Sequence, residues 1–530
     1  MRQVDHEQAK QNELRSALEA LILEYWTETQ LHDLVRAFDF EHDVPGPPAS
    51  KRQKVISLLE FVARREPLGV ETLRTLAAAA PDNRRAIEQV AERIAFDGYA
   101  LTPPVTRAPL PPSKAETESI YHGALGPDAH ERRDAILSDF YNLRSAGPGQ
   151  TGGYAFEWNG TRHLVPVATR GEWLGWNLPV SFSTQKISGL SVACGGRSPP
   201  LPDTAEATAF FQEHIQWLRE LKKELSEDPQ CRLLEVGNRS LLFGPGHYDE
   251  WRMRGTGLLE DELQLALLRT QGQVPSVALS QLHFRRQLMP DLNAVLALDR
   301  RVCLGGVQVV TVWRSSKEEP WTILHIERAA SQGDNAGSIT CVPRGFHEPP
   351  RRDHLGTSWS FCERLPRSLA RELGEELLGF DLLKEVKDSP AHRRLLLGLE
   401  RVLAGPHVHV WLNGLVFSLD NGNYELMFTM VLDEGFEAEI EALKSTLPES
   451  IVSSRRRGSL WHINWEAKEH VKEEEGIGLI DLHPLDLDKC LSARSQFRWV
   501  PGTRAAIVET LLLLERERLI DLGGSLRRLS

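Results

Sequence analysis

The chain has 530 residues, 41% hydrophobic and 26% charged, with a formal net charge of -12. That length exceeds one ordinary core and predicts two to four domains of globular composition. The acidic balance argues against a general role on nucleic acid, whose phosphates want a basic surface. Six cysteines, Cys194, Cys231, Cys303, Cys341, Cys362 and Cys490, are scattered with no CxxC pair. The spacing argues against a zinc ribbon or a disulfide framework, and reduced thiols are the expectation. The polar start "MRQVDHEQAKQNE" lacks the apolar core of a signal peptide, and no apolar run approaches a bilayer's thickness. A soluble cytoplasmic protein with no membrane or nucleic-acid partner is expected.

Residues 10–96 read as a compact all-α bundle of short helices. "LRSALEALILEYW", "QLHDLVRAFDF" and "KRQKVISLLEFVARR" each carry apolar residues at helical spacing, and "PGPPAS" breaks the chain between the last two. Ser50 is placed to cap the third. The arrangement "LHDLVRAFDFEHDVPGPPASKRQKVISLLEFVARRE" resembles the effector-associated, death-fold-like domains of bacterial conflict systems. That resemblance implies a homotypic adaptor coupling the chain to a protein partner in antiviral defence; an unrelated helical bundle is the other reading. Residues 97–114 hold Pro103, Pro104, Pro109, Pro111 and Pro112 and read as a semi-rigid linker.

Residues 115–275 read as a mixed α+β domain of unknown role. "YAFEWNGTRHLVPV" is two alternating strands around Asn159-Gly160, a hairpin signal. "FSTQKISGLSVAC" reads as a strand pair and "CRLLEVGNRSLLFGPG" as a second hairpin around Gly237-Asn238. "TAEATAFFQEHIQWLRELKKELSE" is a long amphipathic helix. "GPGQTGG" at 147–153 lacks the Lys-Ser/Thr ending of a P-loop and reads as a turn.

Over residues 276–522 the element order changes. "VQVVTVWRS", "WTILHIERA", "GSITCVPRGFHEP", "HVHVWLNGLVFSL", "NYELMFTMVLDE" and "LWHINWEA" read as strands; helices are predicted at "SLARELGEELLGFD", at about Glu437 to Leu447, and at "GTRAAIVETLLLLERERL". The pattern predicts a mixed sheet with helices on its faces, an α/β/α sandwich.

The helix "SLARELGEELLGFD" carries the chemistry. At about 100° per residue, Glu372, Glu375 and Glu376 cluster on one side, beside an apolar stripe of Leu369, Leu373 and Leu377. Three neighbouring carboxylates suit a hard divalent cation, Mg²⁺ or Mn²⁺. Arg371 is placed to pair with one of them. "RELGEE" resembles the core of the Nudix hydrolase signature. Glu363 stands eight positions before Arg371, as that pattern asks, and "VPRGFHEP" resembles its strand-to-loop element, with Gly345 in the glycine's place. Two features depart from it. Seventeen residues separate Gly345 from Glu363 where the signature has five, and Gly379 comes one residue late.

The resemblance implies a metal-dependent hydrolase of a nucleoside diphosphate linked to another group. In it, Glu372, Glu375 and Glu376 would be metal ligands, with the Gly345 carbonyl completing the shell. Glu375 would alternatively orient the attacking water, and Arg371 would hold the carboxylates, with Glu363 as the remaining signature glutamate. The lengthened loop leaves open a nucleotide sensor without turnover. Glu425 and the run Glu473–Glu475 are candidates for a further carboxylate base. Arg351, Arg352, Arg455 and Arg456 are candidates for gripping substrate phosphates, against solvated loops as the plainer reading. His407 and His409 share a strand face but lack a third zinc ligand.

Overall fold

The computed structural model describes residues 112–121, 129–195, 229–270, 278–327, 339–348, 364–374, 390–446, 477–492 and 499–529, with a few internal gaps, and isolated positions before residue 58 and at 216. The chain divides into two compact units, Met1–Pro109 and Leu110–Ser530. In the first, Val55 is buried and Lys51 Nζ donates to the Leu23 carbonyl at 2.9 Å. The bundle expected over 10–96 otherwise lies outside the described residues, as does nearly all of the 97–114 linker.

The second unit mixes helices and sheet. Its strands are β1 (Thr151–Trp158), β2 (Thr161–Arg170), β3 (Leu174–Ser181), β4 (Lys186–Ile187), β5 (Ser191–Cys194), β6 (Pro229–Gly237) and β7 (Ser240–His247). They continue as β8 (Gly305–Trp313), β9 (Thr322–Glu327), β10 (Ile339–Cys341), β11 (Arg344–Phe346), β12 (Val408–Ser418), β13 (Tyr424–Leu432), β14 (Ile477–Asp481) and β15 (Leu526–Leu529). The helices are α1 (Lys114–Tyr121), α2 (Ala129–Tyr141), α3 (Leu258–Arg269), α4 (His283–Leu288), α5 (Leu292–Leu296), α6 (Leu365–Glu372), α7 (Pro390–Leu403), α8 (Phe436–Ser445), α9 (Pro484–Leu491) and α10 (Pro501–Arg516).

The main sheet runs β10-β9-β8-β13-β12-β2-β1-β15, with β11 on β8, β14 on β9 and β3 on β12. The domain boundary expected near residue 275 falls inside this unit, and the sheet takes strands from both sides of it. β8 and β13 pair in parallel at its centre, and every residue of β13 is buried. Burial on both faces is why "YELMFTMVL" reads as a continuous apolar run rather than an alternation. α10 begins on Pro501, a residue suited to a first turn because its missing N–H would have no partner there. It packs across β2, β8, β12 and β13. Ile507, Leu511 and Leu514 of α10 join Val310, Val312, Met427 and Val431 in the core, each side chain contributing roughly 1.5–3 kcal/mol.

The hairpin signals resolve differently. Asn159 (φ 49°) and Gly160 (φ 76°) make the expected two-residue turn between β1 and β2, with Trp158 opposite Thr161. The β6–β7 turn sits one residue later than expected, at Asn238-Arg239, with Gly237 opposite Ser240. "FSTQKISGLSVAC" is not a strand pair. β4 pairs back on β3, and β5 runs parallel to β7 in a separate three-stranded sheet, β5-β7-β6. Alternation marked both segments as strands but carried no record of their partners. Cys231 is disulfide-bonded, against the expectation of reduced thiols, while Cys194, Cys303, Cys341 and Cys490 are free. Among the described residues, no helix is long and apolar enough to cross a membrane.

Candidate functional site

The site lies where β11 runs along the start of β8. Gly345 pairs with Val307, and the flanking bonds, Val309 N–H to Pro343 O (3.0 Å) and His347 N–H to Gly305 O (2.9 Å), fix the phase of the ladder. Hydrogen-bonded pairs alternate along antiparallel strands, so the Gly345 carbonyl is engaged by β8. Gly345 is therefore a strand residue here, with its carbonyl turned into the sheet.

α6 lies over this strand. Leu365, Leu369 and Leu373 are buried, so Leu369 and Leu373 of the expected apolar stripe pin the helix. Glu372 is only 5% exposed. A Cβ added to Gly345 would fall 2.0 Å from Glu372 Oε2, so only glycine lets this carboxylate rest on β11. The glycine and the helix's first glutamate, 27 positions apart in the sequence, thus meet. Past Glu372 the winding widens to i→i+5 at Leu373 and Gly374. Glu375 and Glu376 follow directly in the sequence. Both lie outside the described residues, as do Glu363, Arg351, Arg352, Arg455, Arg456 and the run Glu473–Glu475.

Arg371 is the hub of the described groups. Its Nη2 donates to Glu372 Oε1 and, at 3.1 Å, to the Phe346 carbonyl; its Nη1 lies 3.4 Å from Glu348 Oε2. The expected pairing with a helix carboxylate is thus present, and Glu348 joins it. Sequence reasoning missed Glu348, because one acidic residue in a strand-exit loop carries no spacing signal. His347, fully buried, lies beside these charges. Burial, reinforced by the Arg371 guanidinium, lowers its pKa to about 3, which keeps the ring neutral. Its Nδ1 is 3.3 Å from the Tyr424 hydroxyl, which donates to the Cys231 carbonyl at 3.1 Å.

Glu425, at the start of β13, pairs with Arg344 at 3.4 Å. A Cβ on Gly502 would fall 1.5 Å from Glu425 Oε2, so the first turn of α10 closes on this carboxylate. Gly305, Gly306, Arg344, Gly345, Asn423 and Glu425 line a cavity of about 60 Å³. That space suits a few waters or an ion; a bound nucleotide, which needs several hundred Å³, would extend beyond it. Of the carboxylates put forward as further bases, Glu425 is thus placed beside Gly345. His407 and His409 are placed elsewhere: His407 Nδ1 pairs with Asp433 at 2.6 Å.

The described donors fit a divalent cation in part. The Glu372 carboxylate has the hard oxygens such an ion prefers but is already partnered by Arg371, and that of Glu425 is partnered by Arg344. Among the described residues, no group of three or more His, Cys, Asp or Glu could hold a metal ion. In comparisons with known proteins, no family model and no curated relative matches this chain.

Proposed function

We propose that the second unit is a divalent-metal-dependent hydrolase of a nucleoside diphosphate linked to another group. The single observation that supports the reading is the seating of the Glu372 carboxylate on Gly345, with Arg371 bound to both that carboxylate and the exit of β11. The resemblance of "RELGEE" and "VPRGFHEP" to the Nudix signature asks for that convergence, and nothing in composition requires it. On this reading Glu372, Glu375 and Glu376 hold Mg²⁺ or Mn²⁺. Bound there, such an ion would supply neutralisation of the diphosphate charge and activation of a water. The chain's own part is to place the carboxylates and shield them from one another through Arg371. The N-terminal helical segment would couple the unit to a protein partner in a bacterial regulatory or defence system.

The test is product release from ADP-ribose, dinucleoside polyphosphates and NAD with each metal. We expect turnover that falls at least about 100-fold in Glu372→Gln and Glu376→Gln, the scale expected when charge-stabilising groups are lost from a transition state. No turnover with either metal, or equal turnover in both variants, would sink the reading.

A second reading is a nucleotide sensor without turnover. The observation that favours it is the Gly345 carbonyl, which the β8 ladder engages, so that a metal would have to share it with a backbone N–H. Calorimetry then detects nucleotide binding without product, and that binding survives replacement of Glu372, Glu375 and Glu376 by glutamine.

A further inference from the structure

The small sheet β5-β7-β6 reaches the candidate site through one edge. The Cys231 N–H donates to the His347 carbonyl at 2.7 Å, and the Tyr424 hydroxyl donates to the Cys231 carbonyl. The residue before it, Gln230, is 2% exposed and sends its Nε2 to Glu348 Oε1 at 2.9 Å. The other Glu348 oxygen faces Arg371 Nη1 at 3.4 Å. Arg371 continues to Glu372 Oε1 and to the Phe346 carbonyl. Four side chains, Gln230, Glu348, Arg371 and Glu372, therefore form one unbroken line, from β6, through the strand exit, to α6.

We infer that Gln230 and Glu348 form a positioning relay that holds Arg371 against Glu372, making the small sheet a working part of the candidate site. A guanidinium is a planar fork, and its direction is set by the partners at both ends. Glu348 is the partner on the side away from Glu372. With one carboxylate oxygen held by Gln230, it has a fixed rotamer and keeps Arg371 from swinging out to water. Without that brace, Arg371 loses its Nη1 contact while Nη2 keeps the Phe346 carbonyl, and a turn of the guanidinium about that contact alters the oxygen that Glu372 offers. The Gln230 side-chain amide hydrogen-bonds to Glu348 and not to Glu372, so its effect in the relay passes through Glu348.

The inference rests on the proposed metal-dependent reading for its functional readout, so the test has two arms. In the first, Mn²⁺ alone is titrated into the full chain by calorimetry. Outer partners of metal-binding groups typically govern roughly 10–100-fold in affinity. Glu348→Gln should weaken Mn²⁺ binding about tenfold, and Gln230→Leu should weaken it roughly three- to tenfold. The double variant should be no weaker than Glu348→Gln, because Gln230 acts only through Glu348. In the second arm, a double-mutant cycle of Gln230→Leu with Arg371→Met on urea unfolding, without metal, should show a coupling distinct from zero.

Unchanged Mn²⁺ affinity in Gln230→Leu, or additive losses in the double variant, would overturn the relay while leaving the hydrolase reading intact. A wild-type chain that binds no Mn²⁺ and turns over no substrate overturns the hydrolase reading instead, and the unfolding cycle then decides the relay. Zero coupling between Gln230 and Arg371 overturns it.

Discussion

Gly345 and Glu372 carry the argument at the level of single residues. Gly345 has ordinary strand geometry, and what it supplies is the absence of a Cβ beneath a carboxylate. Gly345→Ala would drive a methyl into Glu372 Oε2, so either the carboxylate or α6 must move. Overpacking of this kind costs about 1–3 kcal/mol, and urea unfolding should show it. The variant should also lose divalent-metal affinity, which calorimetry measures. The sequence marked both residues through the signature they resemble. It gave no sign of Glu348 or His347, whose roles depend on Arg371 turning back toward the strand exit. A charged side chain's partners are set in space, and neighbouring letters do not reveal them.

Among the elements, the β12–β13 turn shows how the site is held from behind. Ser418–Asn423 is buried, and Asn423 and Glu425 line the cavity just beyond it. Arg285 of α4 donates to the Leu419 and Asp420 carbonyls, to the Leu259 carbonyl and to the Tyr141 hydroxyl. Arg301 Nη1 donates to the Gly422 carbonyl at 2.7 Å, and Arg133 Nη1 lies 3.6 Å from Asp420 Oδ2. Arg285 and Arg301 satisfy buried carbonyls of the turn, and Arg133 faces the Asp420 carboxylate. Arg285→Met should therefore leave several buried acceptors without a donor. We expect a loss of about 3–5 kcal/mol in urea unfolding, well above the cost of an exposed arginine. Strands and helices were legible as elements because burial imposes periods of two and 3.6. The arginine clasp was not, since "HFRRQL" reads as an ordinary short basic helix.

Among the described residues, buried groups far apart contribute to the molecule's pH response. Burial holds His325 down to about 4; burial, reinforced by Arg504, does the same for His163. Unfolded histidine titrates near 6.5. The unfolded chain therefore binds more protons, and stability falls as pH drops from about 6.5 through about 4. Glu262 acts oppositely: burial, partly offset by Arg285, raises it to about 7 against an ordinary value of 4.5, so its contribution is lost as pH rises from about 4.5 through 7. Melting temperatures between pH 4.5 and 7.5 should therefore show weaker acid destabilisation in His325→Gln than in wild type. They should show steeper acid destabilisation in Glu262→Gln. Equal slopes in all three proteins would remove these groups as the cause.

By itself the sequence determined that the chain has globular composition, mixes helix and strand, and sets Glu372 on a helix beside an apolar stripe. Those properties are local, fixed by composition and by side-chain periods along a few turns or strands. The tertiary structure decided which strands share a sheet, carrying it across the expected boundary near residue 275. It also decided that Glu372 rests on Gly345, that Arg371 reaches Glu348, and that the Gly345 carbonyl faces β8. Register, crossover and the direction of a guanidinium are relations between distant segments, and the energies that select them exist only once those segments have packed.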